Sequence, residues 1–224
     1  MNLGSILQRF ETSPLELQEK IHHTLMELVE ISAQVPYPAS GATLKRWQIL
    51  SQVSASNLSL GKLFESHLDA LAILHELNIP VMKKGLWAVW AAEGGPRPLK
   101  LEAGNLTGIK PWCSASVWVQ HGLLTYRDEQ QQSQLLILDL QQEGIQHYQD
   151  AWQAVGMQHT LTARLELDQV EVEKVAAPDA YLDRPGFWHG AAGVAACWYG
   201  ATVRLAEYLR QTFLVKPHAY KAMY

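Results

Sequence analysis

Apolar residues recur along this chain with two different periods, and the changes of period divide it into three blocks. In the first block Leu17, Ile21, Leu25 and Leu28 follow one another at three- and four-residue spacing, which puts them on one face of a helix. Ser13-Pro14-Leu15-Glu16 ahead of them offers a capping hydroxyl, a proline for the first helical position and a glutamate three residues after the cap. The helix is therefore expected to start there and to stop at Pro36 and Pro38. Leu44, Trp47 and Leu50 predict a shorter second helix. Leu60, Leu63, Phe64, Leu68, Leu71 and Leu74 form the stripe of a third, closed by Asn78 and Pro80.

From Leu86 the period becomes two. Leu99-Lys-Leu and Leu106-Thr-Gly-Ile flank Ala-Gly-Asn and predict a hairpin, Val117-Trp-Val is expected to be a strand core, and Leu135 to Leu140 is a short apolar run. Leu161, Ala163, Leu165 and Leu167 alternate with Thr162, Arg164, Glu166 and Asp168, giving one buried and one wet face. The block reads as half-buried antiparallel strands. Asp183-Arg-Pro-Gly breaks this pattern, and Phe187 to Phe213 returns to helix with small residues at Gly190, Gly193, Ala196 or Cys197, and Gly200. Each glycine costs about 1 kcal/mol of helix propensity against alanine, so a neighbour's backbone is expected to approach there. The resulting division is a helical block 1–83, a β block 84–178 and a second helical block 179–224.

Composition narrows the function classes. The chain has 224 residues, 48% hydrophobic and 18% charged, with a formal net charge of −4. That charge provides no field for nucleic acid or anionic lipid, so neither is an expected partner. The two cysteines, Cys113 and Cys197, fit neither a disulfide framework nor a ligand cluster. The first residues lack an apolar stretch behind a basic start, so no secretory signal is evident and a cytoplasmic setting is expected. Phe187 to Val203 is short and glycine-bearing, which favours a buried helix over a membrane span. His67 with His75, and His22-His23, lack the four-residue helical spacing and third ligand of a zinc site, so no metal is expected and solvent-facing or capped roles suffice for them.

The segments Trp87-Ala-Val-Trp-Ala-Ala-Glu93 and Gly108-Ile-Lys-Pro-Trp-Cys-Ser-Ala-Ser116, with the helix Ser59 to Leu71, resemble the flavin-dependent acyl-CoA dehydrogenases. The resemblance runs through the chain in order. It implies an α+β fold with an N-terminal helical domain, a middle antiparallel β-barrel or sandwich and the start of a C-terminal helical bundle. It also implies FAD as cofactor, an acyl thioester of CoA as substrate, and α,β-dehydrogenation as the reaction. In that family one strand ends in a Thr-Glu element whose backbone and hydroxyl address the flavin, and a later Trp-x-Thr/Ser element lays an indole beside the ring. Trp90, Ala91, Ala92 and Glu93 stand at the first element, and Trp112 and Ser114 at the second. Ala92 replaces the usual threonine, and Gly94-Gly95-Pro96 is shorter than the usual glycine- and serine-bearing loop.

The catalytic carboxylate of the family lies in later C-terminal helices or early in the helix corresponding to Phe187 to Phe213. Gly186 to Arg204 contains no Asp or Glu, and Glu207 lies about five turns in. The base is therefore expected to be absent, with Asp183 as the nearest substitute. Relative to the family the chain reads as C-terminally truncated, and two consequences are expected. The polypeptide alone binds FAD weakly or not at all and does not dehydrogenate acyl-CoA. The exposed apolar helix gives a homo-oligomer or takes a missing C-terminal partner. The alternative reading is a non-catalytic, truncated or divergent homologue acting through interactions.

Overall fold

The computed structural model describes residues 2–81, 84–149 and 152–215. Four helices come first: α1 (Leu3–Thr12), α2 (Leu17–Glu30), α3 (Thr43–Ser56) and α4 (Leu58–Glu76). Helix α1 is unannounced by the spacing read above; the Asn2 side chain accepts from Ser5 N at 2.9 Å and caps it. Ser13 closes α1 rather than opening α2, and its hydroxyl accepts from Leu15 N at 3.3 Å, so Pro14 turns a corner and α2 begins after Glu16. The third predicted helix is α4, started by Asn57 Oδ1 accepting from Leu60 N and ended by Asn78 in the left-handed region at φ 56°.

Seven strands follow: β1 (Trp87–Trp90), β2 (Lys100–Glu102), β3 (Asn105–Cys113), β4 (His121–Arg127), β5 (Ser133–Asp139), β6 (Ile145–Tyr148) and β7 (Ala163–Lys174). They form an open, mostly antiparallel sheet in the order β1-β4-β5-β7-β3-β2, with β6 also paired to β7. The α+β class holds; where an antiparallel barrel or sandwich was expected, the strands form a mostly antiparallel open sheet with one parallel pair. β1 and β4 run parallel, because the β2–β3 hairpin lies between them in the chain and carries it back. That hairpin turns on Ala103 and Gly104, both at positive φ, as a two-residue loop requires. Val117 and Trp118 lie in a turn instead of a strand.

The long strand β7 pairs with β3 and β6 in its first part and with β5 near its end. Gln169, at φ 53°, is the extra residue where the β3 pairing slips, so β7 bends as it passes from one set of partners to the other.

After the short helix α5 (Ala180–Asp183), α6 (Phe187–Val215) returns along α3 and α4. Its buried positions are Gly190, Gly193, Cys197 and Gly200. A side chain at Gly200 would strike the Ser51 carbonyl, and one at Gly193 would meet Leu50, so the small residues do admit a neighbouring backbone, that of α3. Among the described residues no helix is long and apolar enough to cross a membrane.

Candidate functional site

The ends of β1 and β3 converge, and a set of specific bonds holds them. β1 lies at the sheet edge, with only β4 beside it, which leaves alternate N–H groups to be satisfied from elsewhere. Helix α4 supplies the acceptors. Trp87 N donates to His67 Nδ1 at 3.1 Å and Val89 N donates to Ser66 Oγ at 3.0 Å. His67 is thus buried, contrary to the solvent-facing role expected of it, and burial pushes its pKa down to about 4.

At the end of β1, Trp90 is buried, and Gly122 on β4 leaves the space its ring fills. Trp90 Nε1 donates to the Ser114 carbonyl at 3.2 Å, which ties the two predicted elements together. The Ala91 carbonyl accepts from Thr125 Oγ1 at 3.1 Å. Ala92 is half-buried, and Glu93 is exposed and paired with Arg127 at 2.9 Å.

β3 ends in a bulge. From Lys110 to Cys113 it advances three residues while β7 advances two, from Leu165 to Ala163. The extra residue falls at Pro111-Trp112, where a proline costs no ladder bond. Trp112 takes φ 55°, a conformation a bulky residue adopts only when its surroundings impose it, and its side chain is 57% exposed. The indole is held outward, not packed into the core.

Behind Trp112, Ser114 begins a ladder of hydroxyls. Thr160 Oγ1 must donate to the Met157 carbonyl, at 2.8 Å, because a carbonyl only accepts. Its one proton is then spent, so Thr162 donates to Thr160 at 2.8 Å and Ser114 donates to Thr162 at 2.9 Å. Ser114 therefore turns its proton inward, toward Thr162. Thr162, expected on the wet face of its strand, is buried to make this ladder.

On the β4 side of Glu93 a cavity of about 250 Å³ opens between Gly94, Leu99, Lys110, Thr125 and Arg127. Lys110 is almost wholly buried and donates from Nζ to the Thr125 carbonyl. Burial holds its ammonium down to about 8, against an opposing effect of Cys113, whose own thiol is pushed up by burial.

All six residues predicted at the two strand ends thus lie at this junction. Asp183 does not: it is exposed at the end of α5, apart from the strand ends. Lys110, Thr125, Thr160 and Thr162 belong to the junction and escaped the sequence reading. Lys110 lies inside the segment Gly108 to Ser116, where a cation two residues before an aromatic in a strand was the available signal. Thr125 and Thr162 reach the junction through Ala91 and Ser114, which are remote from them in sequence, and Thr160 joins it through Thr162.

No protein-family model and no curated protein sequence matches the chain. Solved structures do resemble it. KijD3, in complex with FMN and dTDP-3-amino-2,3,6-trideoxy-4-keto-3-methyl-D-glucose, is 13% identical with a TM-score of 0.74, covering 96% of this chain and 63% of its own. Methanesulfinate monooxygenase MsuC from Pseudomonas fluorescens is 16% identical with a TM-score of 0.64, covering 96% of this chain and 61% of its own. TdsC from Paenibacillus sp. A11-2, with FMN and indole, is 16% identical with a TM-score of 0.62, covering 88% of this chain and 58% of its own. These structures have acyl-CoA dehydrogenase-like folds, and at such identities the likeness establishes the fold alone. The chain spans about three fifths of their length.

Proposed function

We propose that the chain is a flavin-binding member of this fold, with the isoalloxazine lying against Trp112, Ser114 at its edge and the backbone from Trp90 to Glu93 beside it. The observation that carries the reading is Trp112, an indole lifted into solvent by a bulge and a left-handed backbone at the point where two strand ends meet. A flat, electron-poor ring is what such a platform suits. Bound flavin would supply two-electron chemistry; the chain's part is to hold and orient the ring and to present acceptor oxygens from Ser114.

The reaction reading moves away from acyl-CoA dehydrogenation. Removing an α proton needs a placed base, and general-base assistance is commonly worth about 10²- to 10⁴-fold. The first half of α6 has no carboxylate, and Asp183 is exposed apart from the strand ends. Monooxygenation, in which O2 supplies the oxygen atom and a reduced flavin the two electrons, with the second oxygen leaving as water, makes no such demand, and MsuC is a monooxygenase by name. FMN is preferred to FAD because Gly94-Gly95-Pro96 is short and exposed, leaving little to hold an adenylate half, and because KijD3 and TdsC are recorded with FMN. The competing reading, a non-catalytic homologue, rests on Ala92 in place of the usual threonine, the shortened loop and the lack of a carboxylate in the first half of α6.

Titration of the purified chain with FMN decides between them. Weak binding is expected, with Kd of about 100 μM, or about −5.5 kcal/mol. Flavin fluorescence should be quenched on binding. Trp112→Ala should weaken binding about tenfold and Trp112→Phe should restore most of it, consistent with a stacking contribution of about 0.5–1.5 kcal/mol. Absence of quenching at millimolar FMN and FAD, in a protein with a normal thermal transition, would overturn the flavin reading in favour of the non-catalytic one.

A further inference from the structure

Lys110 is a buried cation without a bonded counter-ion. Its side chain is almost wholly out of water, and its one bonded partner among the described residues is the Thr125 carbonyl, a neutral dipole. An ammonium carries three protons, so two remain unspent. A charge taken out of water in this way is costly unless an opposite charge meets it. Lys110 and Thr125 both line the cavity of about 250 Å³, so the bond between them lies on its wall.

The rest of that wall defines what would meet the ammonium. Among the described residues its charged members are Lys110, Arg127 and Glu93, two cations and one anion, so the lining carries one net positive charge. Arg127 gives Nε to Glu93 at 2.9 Å and Nη1 to the Gln131 carbonyl at 2.9 Å, which leaves Nη2 to donate elsewhere. Leu99 and Ile109 supply an apolar side. At roughly 30 Å³ for each water, the volume is that of about eight waters, room for a ligand of a few heavy atoms. One negative charge, two acceptor oxygens and a short hydrocarbon tail satisfy the charge, the donors and the apolar side together. A phosphate dianion would leave the lining net negative and the apolar side in contact with nothing.

We propose that this cavity binds a short-chain monocarboxylate, its oxygens taken by Lys110 and Arg127 and its tail lying on Leu99 and Ile109. The site does not depend on the flavin reading, and its test is run without flavin. Titrating propionate against chloride at constant ionic strength, followed by calorimetry, should give one site per chain with a Kd of about 1 mM. Lys110→Met should weaken binding about tenfold or more. Arg127→Gln, a change at a part-exposed residue, should weaken it about fivefold, whereas Glu93→Gln should tighten it by about as much, because it removes the one negative charge of the described lining. If Lys110 and Arg127 only support the fold, these last two variants will not move in opposite directions. A pH series reads Lys110 itself. Burial lowers its ammonium to about 8, with Cys113 and Glu93 opposing, while the Cys113 thiol and the Tyr126 phenol, both raised by burial, stay neutral beside it. Propionate affinity should therefore fall about tenfold from pH 7 to pH 9. Absence of heat at about 50 mM propionate, in a protein with a normal thermal transition, would overturn the proposal. So would displacement of propionate by inorganic phosphate, which would make the cavity an unselective anion hollow, or by FMN, which would assign it to the flavin phosphate.

Discussion

Helix α4 buries polar side chains on two of its sides and satisfies them in opposite ways. Toward the sheet, Ser66 and His67 accept from backbone N–H groups of β1, donors that an edge strand would otherwise leave unmet. Toward α3 and α6, the same helix buries Glu65, paired with Lys62 at 3.2 Å, and half-buries Asp69 close to Arg46 and Arg184. Arg184 donates to Glu76 at 3.1 Å and lies 3.6 Å from Asp69, while Glu76 also accepts from Gly186 N at the start of α6. Burial first, and Glu65 second, raise the Asp69 carboxyl to about 6, with Arg184 and Arg46 opposing. One side answers dipoles with dipoles at little cost. The other must balance charge with charge, so removing one partner there leaves another stranded.

Arg184→Met is the strongest test of that contrast. It strands Asp69 and Glu76 and should cost about 3–5 kcal/mol in urea denaturation. A loss below about 1 kcal/mol would mean that the charges do not hold α6 in place. Gly200→Val forces a branched side chain onto the Ser51 backbone and should cost about 1–3 kcal/mol without touching any charge, separating the contribution of close approach from that of the ion cluster. On the sheet side, Ser66→Ala leaves the Val89 N–H without its acceptor and should cost about 1–2 kcal/mol by the same measurement.

The smallest effect is a pair of opposed pH slopes. The His67 pKa is lowered from 6.5 to about 4, so between those values the native state binds fewer protons and its stability falls as pH falls. The Asp69 pKa is raised from 3.8 to about 6, so between those values the native state binds more protons and its stability rises as pH falls. The two slopes oppose each other in the parent chain. His67→Gln, which keeps an acceptor for Trp87 N, should leave a melting temperature that rises relative to the parent from pH 6 to 4. Asp69→Asn should leave one that falls. Parallel pH profiles in both variants would refute the assignment.

Local periodicity and turn chemistry announced α2, α3, α4, α6 and the hairpin at Ala103-Gly104, while the six residues at the strand ends were picked out by the family resemblance of their motifs. It also announced that something must pack on Gly190, Gly193 and Gly200, since helical glycines are costly without a close neighbour. It misplaced the start of α2, because Ser13 serves a local turn as readily as a cap, and it missed α1. It took Val117-Trp118-Val119 for a strand and Thr162 for a surface residue, because alternation cannot register a turn or a buried hydroxyl ladder.

It took long-range packing to make β1 run parallel to β4, to lift Trp112 out of the core by a bulge, to join Ser114 to the buried hydroxyls of Thr162 and Thr160, and to tie α6 to α4 through Arg184. Each of these depends on partners far apart in the chain, from Trp87 with His121 to Glu76 with Arg184. Local preference has no term for them; they appear when strands pair, water is excluded, and every buried donor and charge must find its counterpart.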